Sequence, residues 1–339
     1  MVYKYRGGAF DRDLAALEQD YFWAANIESL NDPCEAISDR AGLEKEFDLL
    51  FKIFGVSKNS ETRDSFKGLL SQVDTMIDST VKLGVFSLSK SYDHHLLWSH
   101  YAASHKGFCV GYDISVLQNQ LNSFGKHFSI DVKYSDAPAK IQMNDLMALR
   151  EKGANEFLQK IIGTKPTIWN YENESRLITD NFGKQHYDYR ALKSIHFGLK
   201  MPDDEKYLLM NRLKGRGIRY YQMMKKSNSY ELFTNAVPDL FSTARPYLYS
   251  VSPVQDDAIS SDELKGKWKK YAHYLNKAVE IQRRDPYCIE VCYTAFSVYD
   301  SKPDNPVIFV NYKFAAEGYM NKTFSINEID KLFPLINDL

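Results

Sequence analysis

VFSLSKSYDHHLLWSHYAASHKGFCVGYD, Val85–Asp113, reads as strand, helix and strand in quick succession. Ser91 or Asp93 suits the start of the helix, and Gly107 stands where a left-handed end is wanted. Helical spacing places His94, Trp98, Tyr101 and His105 along one stripe, with His100 on another face. That stripe can be an aromatic wall for a planar ligand, or a core-facing face whose histidines are hydrogen-bonded. The five-residue steps from His95 to His100 to His105 do not align side chains as the i, i+4 pair of a zinc helix does. No metal is expected.

Outward from this tract, Val2–Arg6 reads as a first strand, Asp11–Gln19 as a short helix and Tyr21–Ala25 as a second strand. Asn31-Asp32-Pro33-Cys34-Glu35 looks like a helix start, with Asp32 as N-cap, Pro33 first and Glu35 third. Leu43, Phe47, Leu50 and Phe54 recur at helical spacing, as do Phe66, Leu69, Leu70, Val73, Met76, Ile77 and Val81. Further strands are expected at Phe128–Tyr134, Glu174–Thr179, Leu192–Phe197, Arg219–Met223, Tyr230–Thr234 and Val307–Phe314. Helices are expected at Ile114–Leu121, Ile141–Ile162, Asp203–Lys214, Asp262–Arg284 and Ile326–Ile336, with another opening at Asp285-Pro286. Strands and helices without regular βαβ alternation predict an α+β fold with a mixed, mainly antiparallel core and helical insertions. A Pro-, Ser- and Asp-rich tract begins at Val237. It sets the expected division: residues 1–236 as the main domain and 237–339 as a mostly helical extension packed on it.

Composition narrows the function classes. With 339 residues and net charge −1, the chain has room for a large core and no global field for nucleic acid or anionic lipid. Aromatic residues make up 14%, including 23 Tyr, which favours surfaces half apolar and half wet. The cysteines, Cys34, Cys109, Cys288 and Cys292, form no CxxC pair, and Cys288 and Cys292 fall on a helix whose apolar positions suggest core. There is no signal-peptide core and no apolar run long enough to span a bilayer. A cytoplasmic protein without membrane attachment is expected, with a homo-oligomer left open.

A second dense tract, Trp169-Asn-Tyr-Glu-Asn-Glu-Ser-Arg176, would put Glu172, Glu174 and Arg176 on one face if it is a strand. Side-by-side carboxylates repel unless a cation separates them or one takes a proton. Such a pair marks either an exposed edge guarded by charge or a working site. Arg6, at the end of the first strand, and Ser87 and Ser89 before the aromatic helix are weaker signals, each explicable by a salt bridge or a strand end.

Together YKYR, NDP, SLS, WSHYAASHKGF, YENESR and IHFG resemble the bacterial family named domain of unknown function twenty-nine seventy-one, over roughly Tyr3 to Phe233. Asn31-Asp32-Pro33 and Trp98–Gly107, with His100 inside it, carry it most specifically, while Cys34 stands where a large apolar residue is expected. The order Arg, Ser-x-Ser, Glu-x-Glu is also similar to that of ADP-ribosyltransferases. That similarity implies an ADP-ribosyltransferase-like fold and an NAD-consuming enzyme, an effector of toxin–antitoxin or phage defence, with its macromolecular acceptor unspecified. Arg6 would hold the NAD phosphates, Ser87 or Ser89 brace the nicotinamide side, Glu174 support the reacting ribose and Glu172 activate the acceptor, with Trp98 or Tyr101 stacking on nicotinamide. A rival reading is a metal-independent nuclease, with His100 or His105 as general acid/base and Lys106 and Arg176 stabilising phosphate charge. A third is a ligand sensor or interaction module without catalysis.

Overall fold

Strand β3 (Gly84–Ser89) is the hinge of the architecture, because it has three strand neighbours. In the computed structural model its whole length pairs antiparallel with β6 (Glu174–Thr179), from Glu174↔Ser89 to Thr179↔Gly84. Its other edge is shared. The beginning of β3 pairs with β2 (Tyr21–Asn26) at Ala25↔Val85 and Asn26↔Gly84, and its end pairs with β1 (Val2–Arg6) at Tyr3↔Ser89. Between those contacts β3 passes from one partner to the next, and the Ser87 carbonyl accepts a hydrogen bond from the Lys4 ammonium instead.

The structure describes residues 1–55 except 37 and 40, then 82–118, 127–142, 154–247, 251–315 and 318–336, with isolated positions at 61–80 and 145. Two compact units result, Met1–Ser242 and Thr243–Leu339. The first contains a ten-stranded, mainly antiparallel sheet. Beyond β1 lie β4 (Phe108–Tyr112), β8 (Leu192–Phe197), β9 (Arg219–Lys225) and β10 (Leu232–Val237). Among the described residues, only β8 and β9 are parallel neighbours within it. Strand β5 (Phe128–Asp131) pairs with β6, and β7 (Gly183–His186) with β2. The fold class is α+β.

Side-chain alternation gives the sheet two faces. One packs Phe22, Phe86, Leu88, Val110, Leu177 and Ile195 with residues of α1 (Phe10–Glu18) and, further along the chain, Leu209 and Met210 of a helix at Asp203–Arg212. The other face carries two separate apolar groups. Val85 and Ile178 join Leu43 of α2 (Ala41–Ile53) and the buried Phe157, Ile161 and Ile162. Tyr5 and Cys109 join Leu97 and Trp98 of α3 (His95–Tyr101). The candidate site lies between these groups.

Several local expectations are revised. The stretch after Asn31 is a turn: Asp32 Oδ1 accepts the Cys34 N–H at 2.9 Å, and Glu35 reaches inward instead of closing a capping box. Helix α3 stops at Tyr101, before His105. Ala103, Ser104 and His105 follow with φ of 48°, 53° and 71°, so the left-handed turn is built by these residues. Gly107 serves close approach, since a side chain there would strike the Arg6 carbonyl oxygen. The proposed strand through Glu172 is a 3-10 helix over Thr167–Glu172, left at Asn173 with φ 43° before β6 begins. The expected helix at residues 66–81 lies largely outside the described residues, and of the one at 141–162 the described part is α4 (Ala154–Ile162).

The second unit is half sheet, where a mostly helical extension is expected from sequence. Helix α5 is the one named at Asp203–Arg212; α6 (His273–Gln282) and α7 (Ile326–Ile336) accompany an antiparallel sheet of β11 (Glu290–Phe296), β12 (Val307–Ala315) and β13 (Gly318–Ser325). Asp285 caps a turn through the Tyr287 N–H at 3.0 Å, not a helix. Cys292 therefore sits in β11 and Cys288 just before it. Val291, Thr294, Ala295 and Phe296 are buried in this strand while Tyr293 is exposed, and a register shift between Val291 and Tyr293 interrupts the alternation.

Candidate functional site

A cavity of about 250 Å³ opens where β3 passes from β2 to β1. Tyr3, Lys4, Tyr5, Ser87 and Ser89 come to it from β1 and β3, and Glu174 from the first position of β6. The register explains the grouping: Tyr3, Ser89 and Glu174 are successive cross-strand partners, so their side chains share a face. Trp23, Leu30, Asn31, Leu97 and Tyr101 also line it. Trp23 is 61% exposed.

Behind this lining lies a buried ionic network. Arg176, 1% exposed, uses both sides of its guanidinium. Nε and Nη2 donate to Glu174 at 2.9 and 3.3 Å, Nη1 and Nη2 to Glu35 at 2.8 and 2.7 Å, and Nη1 also to the Ile162 carbonyl at 2.7 Å. That planar fork suits two carboxylates held side by side. Lys165 Nζ continues the chain, donating to Glu172 at 2.6 Å and Glu174 at 3.1 Å, with Glu35 at 3.7 Å. The Tyr101 hydroxyl donates to the other Glu172 oxygen at 2.6 Å. Glu172 and Glu174 are thus brought together by a shared ammonium and not by strand geometry.

The electrostatics follow from these contacts. Burial alone would raise the Glu174 pKa, but Arg176 and Lys165 overcome it and hold the carboxyl down to about 2. It is ionised at neutral pH. Lys165, despite the opposing effect of burial, is raised by Glu174 and Glu172. Burial first, and then Glu172, raise the Tyr101 phenol, which stays a donor. For Lys4, burial and then Arg6 lower the ammonium to about 8.

Of the residues singled out from sequence, Glu172, Glu174, Ser87, Ser89, Tyr101 and Asn31 line this cavity and Arg176 anchors it. Asp32 caps the turn that carries Glu35. Arg6 stands elsewhere: its guanidinium lies 3.7 Å from buried Asp13 and over the Phe86 ring. Trp98 is wholly buried, edge-on to Tyr5, with Nε1 donating to the Tyr92 carbonyl at 2.8 Å. It is core and offers no ligand a face. His105 stacks on Trp98, and His100 is exposed with Nδ1 3.5 Å from the Tyr171 hydroxyl. Neither histidine lines the cavity. Burial, then His95 and Lys200, lower the His105 pKa.

Lys4, Glu35, Lys165 and Trp23 are among the lining residues that the sequence did not assign to a site. One signal was available. Paired carboxylates require a cation, and Lys165 stands seven residues before Glu172. Among the described residues no group of three or more His, Cys, Asp or Glu is arranged to hold a metal, and no helix is long and apolar enough to cross a membrane.

Residues 97–177 match the model described as protein of unknown function (DUF2971). That segment is similar to the DUF2971 family. It supplies Leu97, Tyr101, Lys165, Glu172, Glu174 and Arg176, whereas Tyr3, Lys4, Glu35, Ser87 and Ser89 precede it. The DUF2971 match thus covers one side of the cavity and the ionic network behind it. Comparison with curated proteins and with solved structures gave no match.

Proposed function

We propose that the cavity binds the nicotinamide ribosyl portion of NAD and that the protein cleaves the nicotinamide–ribose bond, as a transferase or glycohydrolase. The observation that supports this reading is the meeting of Ser87, Ser89, Glu172 and Glu174 on one small cavity. Departure of nicotinamide leaves an oxocarbenium-like ribose, and a carboxylate fixed beside it stabilises charge that exists only in the transition state. Glu174 is suited to that role, since Arg176 and Lys165 keep it ionised and immobile. Glu172, held by Tyr101 and Lys165, is placed to orient the acceptor. The cavity is smaller than the roughly 300–1,000 Å³ of sites that bury drug-sized ligands, which fits a nucleoside-sized portion. Because Arg6 pairs with Asp13, the cation facing the ligand in this reading is Lys4.

The test is nicotinamide release from labelled NAD. At about 4 Å and an effective dielectric of 20, the carboxylate is worth about 4 kcal/mol, so Glu174→Gln should slow release by up to roughly three powers of ten. The variant keeps the side-chain volume, and circular dichroism should be unchanged. Release at the wild-type rate by folded Glu174→Gln would end the assignment.

A further inference from the structure

Lys4 differs from every other cation of the cavity. Arg176 and Lys165 are committed to Glu35, Glu172 and Glu174. Among the described residues Lys4 makes no ion pair. Its Nζ donates to the Ser87 carbonyl at 2.8 Å and lies 5.1 Å from the centre of the Phe86 ring. This gives the amine one neutral acceptor and an aromatic face for company, on a residue that lines the same cavity as Glu172, Glu174 and Tyr101.

We propose that Lys4 is a carbonyl-condensing amine, whose Nζ forms an imine with a small aldehyde or 2-oxo acid admitted to this cavity. The nitrogen lone pair forms the C–N bond as the carbonyl π pair moves to oxygen. Nitrogen gives up one proton and oxygen takes one, leaving a carbinolamine. A second proton leaves nitrogen and a second reaches oxygen, which departs as water and leaves C=N, with no change of oxidation state. Tyr101 and Lys165 are donors on the same cavity, and Glu172 and Glu174 are acceptors.

The titration of the amine supports this geometry. Burial and Arg6 lower it, Glu174, Glu172 and Asp13 resist, and the balance is about 8. At pH 7 roughly a tenth of such an amine is neutral, against less than about a thousandth for an ordinary lysine near 10.4.

Reductive alkylation of the full chain with glyoxylate and sodium cyanoborohydride at pH 7, followed by peptide mapping, tests the proposal. Lys4 should be carboxymethylated on the order of 100-fold faster than exposed Lys225, with a rate that reaches a plateau as glyoxylate rises. The exposed α-amine of Met1 is the internal standard for an accessible amine. In Lys4→Arg the saturable phase should vanish while labelling of the α-amine continues. Labelling of Lys4 no faster than Lys225, a strictly linear dependence on glyoxylate, or a saturable phase that survives in Lys4→Arg would each overturn it. Nicotinamide release is a separate readout, so either proposal can fail without the other.

Discussion

The tract around the aromatic helix and the tract around the paired glutamates look equally chemical in sequence, yet the fold uses them in opposite ways. Trp98 disappears into the core with its indole N–H satisfied by a backbone carbonyl, and His105 stacks against it. Glu172 and Glu174 stay on a cavity wall, held by Lys165 and Arg176 from the same part of the chain. Aromatic side chains carry their own favourable burial, so a dense aromatic stripe is satisfied by packing alone. Buried carboxylates have no such outlet and must recruit partners from wherever the chain can bring them.

The largest test of this contrast is Arg176→Met, which leaves Glu174 and Glu35 buried without their shared partner. Removing one member of a buried ionic group typically costs roughly 3–5 kcal/mol, and chemical denaturation should show a loss of that order together with loss of nicotinamide release. Trp98→Ala should lose roughly 3–4 kcal/mol through the void it leaves. On the folded fraction, however, nicotinamide release should fall far less than in Glu174→Gln. Equal effects of the two substitutions on release would erase the distinction between scaffold and site.

Acid separates the regions more gently. His196, near the aromatic helix, is stacked between Tyr92 and Tyr221, each 4.8 Å away, and burial followed by Arg219 lowers it from 6.5 to about 4 while Asp93 resists. Its folded-state value is depressed, so the contribution of the neutral ring is complete above 6.5 and is lost as pH falls toward 4. Glu174 is depressed from 4.5 to about 2, so its contribution holds above 4.5 and is lost only below. Stability should therefore decline between pH 6.5 and 4.5 on account of the aromatic side, before Glu174 titrates. In His196→Phe that first decline should flatten, as read from denaturation midpoints across the range.

Much of the sheet was legible. Val2–Arg6, Glu174–Thr179, Leu192–Phe197 and the helices at 10–18 and 326–336 fall where periodicity and turn residues put them. The cavity was legible in part, because Ser87, Ser89, Glu172, Glu174 and Tyr101 stand out in the chain by type and spacing. What sequence could not supply was assembly across distance. Glu35 is explained locally by a cap and Lys4 by an ordinary strand, and only the three-way pairing of β3 turns them toward one cavity. Arg6 shows the converse error, since Asp13 in the following helix satisfies it close at hand. The Asp285 segment was misread because an Asp-Pro pair serves a turn as readily as a helix.

The run of Ala103, Ser104 and His105 in the left-handed region has a consequence for how this segment tolerates change. For residues with a β-carbon this winding opposes the handedness of the polypeptide, at about 1–2 kcal/mol for each. The turn is nevertheless bolted in place: a side chain at Gly198 would meet the His105 carbonyl oxygen, and the Lys200 N–H donates to that same oxygen at 2.9 Å. Ala103→Gly should accordingly raise stability, by roughly 1 kcal/mol, where glycine ordinarily lowers it. For the same reason, lengthening this surface turn by a single residue would shift Gly107 out of contact with Arg6 and unseat the start of β4. A stretch that looks like a connector behaves as a fixed spacer.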